Sequence, residues 1–203
     1  MKLYYAPGVC SLSPNIVLRE AGYKFALERV DLKNKKTESA QDFNTINKKS
    51  YVPLLELDNG ELLSEGVAII QYLADLKPET KLAPTPGTLE RARLNEWLNY
   101  IATELHKGFY PFFHDVGKQA VDFYREKLLK KFTYVAERLK GKKYLMGDQF
   151  TVADAYLYTI LTWTKPTKID LSSWPTLVDY MERISQRPSV QAALEAEGLL
   201  QPA

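Results

Sequence analysis

The sequence predicts two units of different class: a mixed α/β unit over residues 1–80 and an all-α helical bundle over residues 87–203. Three observations predict this. Strand and helix patterns alternate through the first eighty residues. Lys77 to Thr88 then holds three prolines and one glycine and follows neither period, which reads as an interdomain linker over 77–88. Every periodic segment after it is helical.

Each element has its own signal. Leu3 to Tyr5 reads as a strand and Pro7-Gly8 as a turn. Ser11 to Ala21 reads as a helix, with Pro14 tolerated in the first turn, where a missing N–H costs little. Ala26 to Val30 is a second strand, and Gln41 to Ile46 a short helix. Tyr51 to Leu57, Asp58-Asn59-Gly60 and Glu61-Leu62-Leu63 form a hairpin signal, two apolar runs joined by an Asn-Gly turn. Ser64 then caps a helix carrying Val67, Ile70, Tyr72 and Leu73, so the order is βαβαββα. Beyond the linker, Leu89 to Phe109 reads as one long helix and Ala120 to Lys140 as another. Thr151-Val152-Ala153-Asp154 is a capping box and reads as structural. Trp174-Pro175 opens a helix through Ser185, and Val190 to Glu197 is the last.

Composition narrows the function. Twenty-seven basic against 25 acidic residues leave a net charge of +2 with no basic stripe, so neither nucleic acid nor an anionic membrane is expected as partner. One cysteine permits no internal disulfide, and two histidines with one cysteine argue against a multi-ligand metal centre. No signal peptide or membrane helix is apparent, which makes a cytoplasmic protein the expectation.

Four places hold residues suited to chemistry. Cys10 stands where the first strand hands over to the first helix. Unpaired N–H groups and the positive end of the helix dipole there favour a thiolate, whether of the protein or of a bound thiol. A small buried core residue is the alternative. Val52-Pro53 puts a proline at a strand entrance; a cis bond there would turn the Val52 main chain toward an added peptide strand, and a trans proline on an edge strand is the alternative. Ser64-Glu65-Gly66 opens a helix whose N–H groups suit a carboxylate, while Glu65 suits an amine; an ordinary cap is the alternative. On the long helix, Asn99, Thr103 and His106 fall within roughly a 60° arc at about 100° per residue. Leu94, Leu98, Ile101 and Leu105 cluster away from them, toward a core. His106 could donate to a thiolate or serve only packing; Lys107 reads as a surface charge and His114 as structural.

In this order and spacing the segments are specific. Tyr5-Ala6-Pro7-Gly8-Val9-Cys10-Ser11-Leu12, Val52-Pro53, Leu63-Ser64-Glu65-Gly66-Val67-Ala68-Ile69, Glu96 to His106 and Phe150 to Ala155 resemble a thioredoxin-like domain followed by the helical domain of the glutathione transferases. The likeness is to the bacterial beta class and spans essentially the whole chain.

The resemblance implies an enzyme that conjugates the thiol of glutathione to hydrophobic electrophiles in detoxification, as a cytoplasmic homodimer. It has no metal and no cofactor beyond glutathione as co-substrate. Cys10 and His106 are its expected catalytic residues. Cys10 lies beside the glutathione sulfur, Val52 and Pro53 pair with the cysteinyl main chain, and Glu65 and Gly66 hold the γ-glutamyl end. Lys35 reaches the glycine carboxylate. Asn99, Thr103, His106 and Lys107 come from the long helix, some across a dimer interface. Tyr51 stands where related chains usually carry glutamine, and Gly66 where some carry serine. Tyr5, Ser11 and Ser13 are alternative activating residues, as other classes use Tyr or Ser. Tyr110, Phe112 and Phe113 are candidate walls for the electrophile. Two other functions fit the sequence. One is glutathione-dependent thiol–disulfide exchange or peroxidase chemistry through a Cys10 mixed disulfide. The other is a non-catalytic binding protein on the same fold.

Overall fold

The computed structural model describes residues 1–200. It divides into two compact units, Met1–Thr80 together with the chain from Gln186 onward, and Lys81–Ser185. The boundary differs from the expected one. The last helix leaves the helical unit and joins the first, because its apolar face finds its partner on the opening helix.

In the first unit, β1 (Lys2–Tyr5), β2 (Ala26–Asp31), β3 (Lys36–Thr37), β4 (Leu54–Glu56) and β5 (Leu62–Ser64) form one sheet in the order β3-β2-β1-β4-β5. Only β1 and β2 are parallel, with Leu3 opposite Leu27; β4 runs antiparallel, with Leu3 opposite Leu55. The parallel pair needs a crossover, and α1 (Leu12–Glu20) supplies it. The two-residue β3 was not expected from sequence, and β4 is shorter than the Tyr51–Leu57 run. The expected short helix forms as α2 (Phe43–Ile46), capped by Asp42, whose side chain accepts from Asn44 N–H.

Helix α3 (Gly66–Asp75) follows β5. Its cap is Glu65 at φ 70°, not Ser64, and no side chain closes the cap. The Ser64 hydroxyl accepts from Lys49 instead. Leu3, Leu12, Ile16, Leu55, Ile69 and Ile70 are fully buried in this unit. Each such side chain contributes about 1.5–3 kcal/mol by leaving water. A further cluster of Tyr4, Ala6, Val30, Phe43, Val52 and Leu54, with Val9 against it, packs directly beneath the loops that carry Cys10 and Pro53.

The second unit is helical. Thr88 accepts from Arg91 N–H and starts α4 (Leu89–Tyr100). The expected single long helix does not continue unchanged. It widens into a π-helical stretch at Ile101–His106 and tightens into a 3₁₀ turn at Lys107–Phe109 before the short α5 (Tyr110–Phe113). Glycine at 108 lets the chain tighten without moving Leu128, whose Cδ2 a Cβ there would meet at 2.8 Å. Leu94, Leu98, Ile101 and Leu105 are all fully buried, as their spacing predicts. Helices α6 (Lys118–Leu139), α7 (Val152–Thr162) and α8 (Pro175–Ser185) complete the unit. The box at the head of α7 forms, with Asp154 accepting from Thr151 N–H at 2.9 Å. Helix α9 (Pro188–Ala196) packs on α1 in the first unit.

Candidate active site

The loop from Ala6 to Ser11 is built by one hydroxyl. Ser11 Oγ accepts from Ala6 N–H at 3.2 Å and donates to Ala6 C=O at 3.1 Å, so the turn between β1 and α1 closes on itself. Ser13 Oγ donates to Cys10 C=O at 3.2 Å. Both serines are fully buried with their hydroxyls committed to main-chain groups of this turn. Tyr5 is buried within the sheet, and burial holds its phenol above the usual range.

Cys10 keeps part of its surface exposed. Its Sγ lies 3.5 Å from Val52 C=O, to which the thiol donates. Of the two thiols that the helix start could ionise, the protein's own is disfavoured. Burial pushes the thiol up to about 12, overcoming the N–H groups of Cys10 and Ser11 that favour its anion; the carboxylates of Glu65 and Glu197 add to the rise. Cys10 is therefore a neutral hydrogen-bond donor at neutral pH.

The Val52–Pro53 bond is cis. Val52 buries its side chain, and its N–H makes no hydrogen bond among the described residues. The segment leading to it touches three of the sequence-predicted residues in succession. Lys35 Nζ donates to Ser50 C=O at 2.9 Å, Tyr51 Oη donates to Glu65 Oε1 at 2.6 Å, and Val52 C=O accepts from Cys10. Asn47 Nδ2 fixes this segment by donating to Tyr51 C=O at 2.8 Å. Lys35, Cys10, Val52, Pro53, Glu65 and Gly66 thus belong to one compact unit, linked through residues 50–52.

Asn99, Thr103, His106 and Lys107 lie in the other unit. The amide of Asn99 donates to Asn95 C=O and the hydroxyl of Thr103 to Asn99 C=O, back along their own helix, and both side chains are exposed. His106 does not share their face. The wider π turn carries it inward, where Nδ1 lies 2.6 Å from Tyr156 Oη and the ring meets Trp163 edge-on at 4.9 Å. Burial pushes its imidazole down to about 4, with the charge of Lys107 adding to the fall. His114 stacks on Tyr110 at 3.9 Å.

These features match known proteins over the whole chain. Residues 1–75 match the family described as "Glutathione S-transferase, N-terminal domain", and residues 100–188 match "Glutathione S-transferase, C-terminal domain". The chain is 48% identical to glutathione S-transferase GstA of Escherichia coli O157:H7, over 98% of this chain and 100% of that one. The protein belongs to the glutathione S-transferase family. Among solved structures it superposes on the ternary complex of BphK, a bacterial transferase, with a TM-score of 0.96 at 50% identity, covering 98% and 100% of the two chains. A bacterial beta-class enzyme of Sphingomonas chungbukensis gives 0.95 at 44%, and a sphingomonad transferase complexed with glutathione gives 0.94 at 43%. Both cover 98% of this chain and 100% of the other. This transferase therefore sits in the bacterial beta class.

Sequence reasoning missed several residues of this transferase. Lys49 lies 2.7 Å from Glu65 Oε1, a contact made only by the fold. Glu197, which caps the end of the last helix, accepts from Gly8 N–H and Asn15 Nδ2, each at 2.9 Å. Tyr156 did have a signal: a phenol inside the apolar run of α7 requires a polar partner when buried.

Proposed function

We propose that this enzyme conjugates the sulfur of glutathione to hydrophobic electrophiles, a detoxification activity carried out as a cytoplasmic homodimer. The observation that carries the reading is the segment Ser50–Tyr51–Val52, which meets Lys35, Glu65 and Cys10 in turn. Those groups suit a short peptide with charged ends. Lys35 would take the glycine carboxylate, the free Val52 N–H the cysteinyl main chain, and Glu65 with the Gly66 N–H the γ-glutamyl end. Pro53 borders the peptide. Asn99, Thr103, His106 and Lys107 are assigned to glutathione as well, from the same or a partner protomer.

The thiol of bound glutathione is made acidic by the N–H groups of Cys10 and Ser11 at the start of α1. A fall of about two pKa units corresponds to roughly 2.7 kcal/mol. Neutral Cys10 borders the sulfur, its S–H donated to Val52 C=O, and neutral His106 adds a hydrogen-bond donor. The thiolate attacks the electrophilic carbon, the carbon–sulfur bond forms, and the leaving group departs with its electron pair. Exposed Tyr110 and Phe113 offer aromatic surface for such substrates. Exposed Leu62, Tyr72, Leu76 and Leu89 offer apolar surface for a second protomer to cover. No helix among the described residues is long and apolar enough to cross a membrane.

Ultraviolet titration of the thiolate in the glutathione complex tests the reading. The bound thiol is expected to ionise well below the free one, with turnover of a generic aryl halide following the same curve. An unshifted thiol, or no turnover, contradicts it. Sedimentation equilibrium tests the dimer.

A further inference from the structure

The cluster of Lys49, Tyr51, Ser64 and Glu65 holds more polar contacts than a helix start needs. Glu65 stands at φ 70° and ψ 110°, on the side of backbone space that few side-chain-bearing residues adopt, so its carboxylate is aimed by the main chain. Its Oε1 accepts from Lys49 Nζ at 2.7 Å and from Tyr51 Oη at 2.6 Å. Lys49 Nζ also donates to Ser64 Oγ at 2.9 Å. The next residue, Gly66, brings no hydroxyl; a Cβ there would meet only Pro53 Cγ, at 3.6 Å. A carboxylate arriving at the start of α3 thus finds backbone N–H groups and one nearby cation, Lys49.

We propose that Lys49 and Tyr51 determine how the enzyme reads the γ-glutamyl end of glutathione. Glu65 exchanges Lys49 for the ligand's ammonium, and Lys49 swings to the ligand's α-carboxylate. This rests on the reading that Glu65 binds that end of the peptide. The exchange conserves charge: one ion pair within the protein becomes two between protein and a zwitterion. It costs little, because the Lys49 and Glu65 side chains are 48% and 56% exposed, and an ion pair so open to water is weakly held. Tyr51 stays on Glu65 Oε1 throughout and keeps the carboxylate in place when Lys49 leaves. Tyr51 is a positioning residue, and Lys49 a specificity residue for the carboxylate.

The test is calorimetric binding of two ligands: glutathione and γ-aminobutyryl-cysteinylglycine, which lacks only the α-carboxylate. Lys49→Met is expected to weaken glutathione binding about threefold to tenfold and to leave the analogue's binding the same or slightly tighter, since its ammonium no longer has to displace Lys49 from a partly exposed ion pair. Tyr51→Phe is expected to weaken both ligands by the same factor and to raise KM with kcat unchanged. Both side chains are exposed, so the variants are expected to melt as the wild type does. Lys49→Met binding glutathione as tightly as wild type, or more tightly, overturns the exchange; so does an equal loss for both ligands. Wild type that binds neither ligand overturns the proposed function along with it.

Discussion

His106 Nδ1 and the Tyr156 hydroxyl lie 2.6 Å apart inside the helical unit, with the Trp163 ring edge-on to the imidazole. This pairing occupies one ring nitrogen, Nδ1. Burial holds the imidazole neutral until about 4, against about 6.5 for an exposed histidine. His106 therefore supplies no positive charge at neutral pH.

A pH-linked stability follows. The unfolded chain protonates His106 near 6.5 and the folded one only near 4, so this contribution is fully present above 6.5 and is lost as the pH falls toward 4. The loss amounts to roughly 3 kcal/mol over that window. Denaturant unfolding of wild type and His106→Gln is expected to show a gap that narrows on acidification. Proton resonance of the ring should place the titration near 4. A titration near 6.5 contradicts the buried pairing.

Cys10 gives a second expectation. With its thiol pushed up to about 12, almost no thiolate exists at neutral pH. Alkylation by iodoacetamide, followed by intact mass, should run at least about 100-fold slower than with a free cysteine thiol near 8.5. Cys10→Ala is expected to abolish exchange through a protein mixed disulfide while conjugation falls less than about tenfold. Equal loss of both activities would mean that one nucleophile serves both.

Much of this was legible in the residues. The alternation of strand and helix, the linker and the buried leucine face of α4 follow from period and punctuation alone. The unread parts share a cause: they depend on which neighbour the fold supplies. The two residues of β3 are strand only because β2 lies alongside. A 3.6-residue period places His106 with Asn99 and Thr103, and a π turn, which that period does not anticipate, separates them. The amphipathic last helix shows which face it buries, but nothing in its sequence names α1 as the partner. Ser64 looks like a cap by type, yet the reversed backbone at Glu65 takes the position.

Asp154 tests the reading of the capping box as structural. Fully buried, its carboxylate accepts four hydrogen bonds: from Thr151 N–H and Oγ1, from Leu145 N–H at 2.8 Å and from Tyr180 Oη at 3.0 Å. Asp154→Ala leaves these donors without an acceptor and is expected to cost roughly 3–5 kcal/mol of stability. Thermal unfolding measures it. KM for glutathione in the surviving folded fraction should be unchanged; a raised KM at unchanged stability would make Asp154 a site residue.

Glu197 ties the last helix to the loop that carries Cys10. Its Oε1 accepts from Asn15 Nδ2 and its Oε2 from Gly8 N–H. Burial pushes this carboxyl up to about 7, against the opposing pull of Asn15, Gly8 and the Arg19 guanidinium. A carboxyl raised in the folded state gives stability that is complete below its unfolded value near 4.5 and falls as the pH rises through 7. Glu197→Ala removes the acceptor of two buried donors and is expected to cost roughly 2–4 kcal/mol at about pH 5. The gap to wild type should then shrink toward about pH 8, because only the wild type must bury a charge there. Unfolding curves at both pH values measure the gap, and Glu197→Gln, which cannot titrate, should show no such slope. A gap that stays constant from acid to alkaline pH would place the titration of Glu197 elsewhere and remove the burial argument.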